Sequence, residues 1–491
     1  RIEAKRPGRA CRWGGRRPGH REETKLNLEK VLRTRSLLRG EAPSGPLPSD
    51  SELLRETLRI AWPSMLESFL VALVGFIDTV MVSGLGTAAI AAVGLTTQPK
   101  FICLAVFLSL NVAVSALVAR RRGQDDPEKA NRVLVQSILI TLGLTAIISA
   151  AAFALADPIL RLAGSAPDTH EDAVAYFRII TAGMVFNTLT MVINAAQRGA
   201  GNTRIAMKTN IVANLVNICF NYLLIGGNLG FPKLGVSGAA IATVLGTVVA
   251  CVMSFHSVLR HGSFVSLRGR LRVSFDRETM RAILNIGSST LAEQLFLRIG
   301  FLTYSIVVAN LGTVAFAAHQ VGMNVMSISF SFGDGLSVAA VALVGRSLGE
   351  KRKDLARIYG GVCQRVGVFF SLLLSIVFLT LGGPIFLLFS TETEVLGYGG
   401  MIMRVLVVVV FLQISQVVFT GCLRGAGDAR YTALVSLVSV AFIRPFSGWL
   451  LCYPLGLGLL GAWLGLAIDQ FMRFLMTYIR FRKGKWVNLK I

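Results

Sequence analysis

The chain has 491 residues, 53% of them hydrophobic and only 16% charged, with a mean hydropathy of +0.62. A soluble domain does not need so much apolar side chain for its core, so composition points to a protein that crosses a membrane. The formal charge of +23 would suit nucleic acid if it formed one patch, but its Lys and Arg are spread over short loops between apolar runs.

Residues 1–50, with KRPGRACRWGGRRPGH, carry no apolar period and read as a disordered basic extension, for which anionic lipid is the candidate contact. They also lack the apolar stretch of a signal peptide. Twelve apolar runs follow, near 57–83, 88–119, 130–155, 171–197, 204–226, 236–259, 281–310, 314–345, 355–381, 396–423, 430–452 and 459–481. At about 1.5 Å per residue each is long enough to cross about 30 Å of hydrocarbon as a helix. Basic residues follow the even runs: Arg120–Arg122 the second, Arg260 and Arg268 the sixth, Arg346 and Lys351–Lys353 the eighth. Asp168, Glu171 and Asp172 precede the fourth run, and Glu392 and Glu394 the tenth. Basic loops stay cytoplasmic during insertion, so both termini are expected inside.

RGAGNTR, from Arg198, returns as RGAGDAR from Arg424, an offset of 226. The same offset aligns LGTAAIAAVG at Leu85 with LGTVAFAAHQ at Leu311, and ALVARRRG at Ala116 with ALVGRSLG at Ala342. The chain therefore reads as two homologous halves of six crossings each, and an even number makes the repeats parallel. The expected fold is an all-α polytopic membrane protein, with twelve transmembrane helices in two six-helix lobes related by a pseudo-two-fold axis along the membrane normal. The expected boundaries are 1–50 extension, 51–262 N-lobe, 263–280 cytoplasmic loop, 281–482 C-lobe and 483–491 cytoplasmic tail.

Charges in hydrocarbon are costly and mark candidate sites. Glu67 and Asp78 in the first run are eleven residues apart, almost three turns, on one helix face about 16 Å apart. The offset pairs Glu67 with Glu293 and Asp78 with Tyr304. Arg298, a turn beyond Glu293, and Arg444 in AFIRPFSGW offer Glu293 a structural ion pair instead. Asn210, Asn214, Asn217 and Asn221 share a face of the fifth run, fit either for gluing helices or, with a carboxylate and the Thr243 hydroxyl, for a small cation. Phe330, Phe332, Met323 and Met326 are candidates for a cleft lining or for core. GLGLLG at Gly456 has no preceding strand and is not a nucleotide loop. Metal-protease, nucleophile-elbow and Walker motifs are absent, and the six Cys within apolar runs lack metal-ligand spacing. Neither an enzyme nor a cofactor is expected.

FIDTVMVSGLG, the twin RGAG turns and NICFNYLLIGG followed by GVSGAAIAT, in this order from about Ser51 to Lys485, resemble the multidrug and toxic compound extrusion (MATE) family. The resemblance implies two lobes around a cleft and antiport of lipophilic, often cationic, compounds against Na⁺ or H⁺. By position it implies that Asp78, Asn217 and Thr243 form an N-lobe cation site, with Asn221 where some members carry Asp. It likens Glu293 to the seventh-helix Glu of the NorM-like branch. That branch's tenth-helix Asp is missing, and Gln413 and Ser415 stand nearby. Coupling is thus expected through Asp78, the only expected Na⁺ position, with Asn217, Asn221, Thr243, Glu293 and Glu67. Gln413, Ser415, Arg298 and Arg444 are candidates for a polar site in the C-lobe. The expected partners are the bilayer and small lipophilic molecules, with no nucleic acid, for a monomer in the bacterial inner membrane. The alternative is a lipid-linked precursor flippase, which would need a basic cavity.

Overall fold

A computed structural model of the chain describes residues 37, 43–260, 262–268, 276–387 and 393–489, and among these all regular structure is helical. Most of the expected N-terminal extension and part of the inter-lobe loop lie outside the described residues. The first half runs α1 (Asp50–Ser83), α2 (Thr87–Gly123), α3 (Pro127–Ala154), short α4 (Ala156–Leu162), α5 (Pro167–Ala182), α6 (Met184–Gly199), α7 (Thr203–Gly226) and α8 (Gly235–Leu259). The second half runs α9 (Arg277–Ala309), α10 (Thr313–Gly349), α11 (Lys353–Leu387), α12 (Thr393–Gly425), α13 (Ala429–Ser436), a π-helical turn Leu437–Ile443, α14 (Arg444–Cys452) and α15 (Gly458–Lys483).

Among the described residues eleven helices are long and apolar enough to cross a membrane, and α5 with α6, bent by 47°, makes a twelfth span if the pair is counted as one. The run expected as one helix over 171–197 is therefore broken. A Cβ at Gly183 would lie 2.5 Å from the Val244 side chain, and the Ser149 hydroxyl takes the Thr181 carbonyl, so the turn loses both volume and ladder. The run at 430–452 is also irregular, because Pro445 near the start of α14 has no N–H to give the preceding turn. Helices start earlier than hydropathy suggests because caps are polar. Ser49 accepts from Glu52 N (3.3 Å) and Glu52 accepts from Ser49 N (2.9 Å), fixing the start of α1.

The repeat is visible in backbone detail. Gly201 and Gly427, the second glycines of the two RGAG turns, have φ of 85° and 83°, a region that favours glycine. Across the pseudo-two-fold axis, α1 packs on α10 and α2 on α9. At the end carrying the Arg120–Arg122 and Arg346 loops, α2 crosses α10 closely. A Cβ at Gly123 would sit 1.8 Å from the Arg346 carbonyl oxygen, and one at Gly349 2.1 Å from that of Arg120. Between membrane helices such close approach supplies the cohesion that apolar side chains alone cannot, since lipid is equally apolar.

This basic end is further fastened by ion pairs and bonds between halves. Arg346 contacts Glu56 at 2.8 Å, Tyr359 bonds Glu56, and Arg120 donates to the Leu489 carbonyl at 3.3 Å. Ser44 N donates to Asp354 (3.1 Å) and Arg352 to the Pro46 carbonyl (3.1 Å), tying the described residues ahead of α1 to α11. Leu53, Ile60, Ala61 and Met65 of α1 enter the same core as Phe378, Leu406 and Trp463 of the second half. Met326 lies in that core, Met323 and Phe332 pack against it, and Phe330 is exposed.

Candidate functional site

The asparagine stripe of α7 lies along α1 as the helical spacing requires. Two acid–amide rungs form with the same separation in sequence: Asn210 donates to Glu67 (2.6 Å) and Asn221 to Asp78 (2.7 Å). In the amide orientation that satisfies both its ends, Asn217 donates to Asp78 (2.8 Å) and accepts from Thr243 Oγ1 (3.2 Å). Tyr176 of α5 and Lys100 of α2 lie in the neighbourhood of Asp78. Asp78, Asn217, Asn221 and Thr243 are thus brought together, whereas the Asn214 amide nitrogen is buried without a partner.

Asp78 is bonded to neutral amides and, among the described residues, forms no ion pair with a guanidinium. Its remaining acceptor capacity, the unpartnered Asn221 Oδ1 and the Thr243 hydroxyl, are hard oxygens that suit a proton or a small monovalent cation. Among the described residues no group of three or more His, Cys, Asp or Glu is placed to hold a metal.

Glu67 and Glu293 do not join that cluster, and the reason lies in the twin turns. Arg198 pairs with Glu67 at 3.0 Å and Arg424, its twin, with Glu293 at 2.8 Å. Ser436, the counterpart of Asn210, completes the symmetry at 3.4 Å from Glu293, and Thr432 donates to the same carboxylate at 2.9 Å. Each RGAG arginine therefore reaches back from its turn to a carboxylate on the first helix of its half. The ion pair expected for Glu293 exists, but its partner is neither Arg298 nor Arg444.

The expected C-lobe grouping of Gln413, Ser415, Arg298 and Arg444 does not form. Gln413 accepts from Ser329 (2.7 Å), Ser415 Oγ has no partner, and the Arg298 guanidinium stands 4.7 Å over the Phe101 ring on α2. Arg444 instead meets Asp469 at 2.6 Å, which also takes Arg473 (2.9 Å) and Ser439 (2.6 Å). Asp469 and Arg473 are missed by the sequence reading, although an acid and a base one turn apart in AIDQFMRF are a visible signal. Lys100, Tyr176 and Asp334 were missed too. Asp334, on α10, accepts from Ser68 of α1 at 3.1 Å across the lobes.

Twelve spans in two pseudo-symmetric lobes, with carboxylates between and within them, define a polytopic membrane transporter rather than an enzyme. The MatE family model matches residues 63–223 and 290–450, about two-thirds of the chain, and the chain belongs to that family. It is 26% identical to the probable multidrug resistance protein NorM of Thermotoga maritima over 92% of this chain and 96% of that one. It is 27% identical to the multidrug resistance protein MdtK of Edwardsiella ictaluri, over 87% and 95% of the two chains. Among solved structures, the outward-facing conformation of a multidrug resistance MATE family transporter superposes with a TM-score of 0.82 at 23% identity, covering 90% of this chain and all of that one. A MOP superfamily transporter from Pyrococcus furiosus, described as having a binding pocket of reversed polarity, gives the same TM-score and coverage at 23% identity.

Proposed function

We propose that this transporter is a secondary antiporter exporting lipophilic, cationic compounds from the bacterial cytoplasm in exchange for Na⁺ or H⁺, with Asp78 as the coupling group. The observation that carries the reading is the contrast between three buried acids and the half-buried Asp78. Glu67, Glu293 and Asp469 are each neutralised by guanidinium, whereas Asp78 is held by the amides of Asn217 and Asn221. A carboxylate held this way can exchange a proton or cation without breaking an ion pair, and the difference in ion affinity between two packings of α1 against α7 drives alternating access.

Basic loops stay cytoplasmic during insertion, which supports a cytoplasmic position for the Arg120–Arg122 and Arg346 end and for both termini. The similarity to proteins named for multidrug resistance supports a drug-like cargo. A flippase for anionic head groups is less well supported, because Arg198, Arg424 and Arg444 are all engaged by carboxylates.

The test is efflux of a fluorescent lipophilic cation from proteoliposomes under separately imposed Na⁺ and pH gradients. Asp78→Asn is expected to abolish gradient-driven efflux while leaving the folded protein in the membrane. Undiminished efflux in that variant would remove Asp78 from the mechanism.

A further inference from the structure

A polar pocket of about 250 Å³ lies between α1, α2, α6, α9, α10 and α12, with Ser64, Glu67, Ser68, Asn111, Arg198 and Asp334 in its wall. It sits on the pseudo-two-fold axis. The 226 offset pairs its lining residues with one another: Ser68 with Gln294, Asn111 with Ser337, Val112 with Val338, Ser115 with Val341, and Arg198 with Arg424. One further pair in the wall, Leu108 with Asp334, breaks the symmetry by placing a carboxylate opposite an aliphatic side chain.

That break leaves the charges unbalanced. Arg198 is used by Glu67 and Arg424 by Glu293, while Asp334 has Ser68 as its hydrogen-bond partner and, among the described residues, no guanidinium within ion-pair distance. The pocket also holds buried acceptor atoms without partners: Glu67 Oε2, Asn111 Oδ1 and Ser64 Oγ. Each of these three side chains is nine-tenths or more buried. A buried acceptor left unmade costs about 1–3 kcal/mol, so three aimed into one cavity beside an uncompensated carboxylate call for a positive occupant.

We propose that the pocket binds a small monovalent cation of the Na⁺ class between Glu67 of one lobe and Asp334 of the other, and that this ion fastens the lobes together. The donor set is all oxygen, as such an ion needs. One uncompensated carboxylate matches a single positive charge, whereas a divalent ion is usually held by more. At about 30 Å³ per water, the cavity has room for the ion and part of its hydration. Arg424 Nε, which lines the same pocket and is also unpartnered, would donate to one of those waters. The site is distinct from Asp78, eleven residues further along α1, and adds a second ion position to the antiporter reading without depending on it.

The experiment is binding of ²²Na⁺ to the purified full-length protein in nanodiscs at pH 8, with the Asp78→Asn, Asp334→Asn and doubly substituted forms. Size-exclusion profile and melting temperature check folding. Asp334→Leu, which restores the twin residue, gives a second version of the test. We expect Asp78→Asn to retain one bound Na⁺, and both Asp334 variants to lose one, with at least tenfold weaker residual binding. The double variant should bind none. Binding by the Asp334 variants equal to that of the parent overturns the proposal, as does complete loss in Asp78→Asn alone. The latter result would keep the Asp78 reading, whereas retention in Asp78→Asn with loss in the Asp334 variants supports the axial site even if transport proves independent of Asp78.

Discussion

The strongest stability prediction concerns Asp469, which is 0% exposed and sits between Arg444 and Arg473. Its Oδ2 accepts from Arg444 Nε (2.9 Å), Arg444 Nη2 (2.6 Å) and Arg473 Nη2 (2.9 Å), while Oδ1 accepts from Ser439 (2.6 Å). Asp469→Asn conserves the shape but removes the charge, so two buried guanidiniums remain with none to balance them. Its amide nitrogen must also point a donor at either Ser439 or the guanidiniums. Breaking a buried pair by removing one partner typically costs about 3–5 kcal/mol, and here one acid serves two bases. We expect a large drop in the melting temperature of the detergent-purified protein, read by tryptophan fluorescence. Trp463, in the same core, should report it. Replacing Arg444, Asp469 and Arg473 together by Met, Leu and Leu removes every charge, so it should recover most of the loss. A melting temperature for Asp469→Asn within error of the parent would show that the cluster is not the electrostatic clamp described, whatever the triple variant does.

Three other expectations follow from the geometry. Gly123→Ala or Gly349→Ala puts a methyl group within about 2 Å of a backbone carbonyl oxygen across α2 and α10. Each should destabilise the packing of α2 on α10 by about 1–3 kcal/mol, seen as faster labelling of a cysteine placed in the seam; unchanged labelling would mean the helices are not in contact there. Glu293→Gln and Arg424→Met should be non-additive, with a coupling of about 0.5–3 kcal/mol in a double-mutant cycle on thermal stability. The twin pair Glu67 and Arg198 should behave alike, and additivity in both cycles would reject the clamps. Ser49→Ala removes the cap of α1 at a cost of about 1 kcal/mol, so amides of the first turn should exchange about fivefold faster, with the middle of α1 unaffected as internal control.

Much of this architecture was legible in the sequence because it rests on periodicity and repetition. Hydrocarbon thickness fixes the length of an apolar run, so twelve crossings could be counted. The offset between Arg198 and Arg424 gave the two halves, and in each RGAG turn the second glycine, Gly201 or Gly427, takes a positive φ. The spacing of Asn210, Asn217 and Asn221 predicted one helix face, and that face meets Glu67 and Asp78. What the sequence determined by itself was therefore the number of spans, their pairing by repeat and which polar residues share a face. Only the tertiary structure decided who answers whom across helices. Glu293 had two candidate bases near it in sequence or on a mid-helix position, yet its partner is Arg424, 131 residues away, because a turn at the end of α12 returns beside α9. Arg444, one of those two candidates, is taken instead by Asp469 of α15. Asp334 carries the same sequence signal as Glu67 and Asp78, an acid inside an apolar run, and the sequence reading missed it. Its meaning depends on Leu108 facing it across an axis that exists only once the two halves pack, and the charge balance of the pocket is a property of that packing.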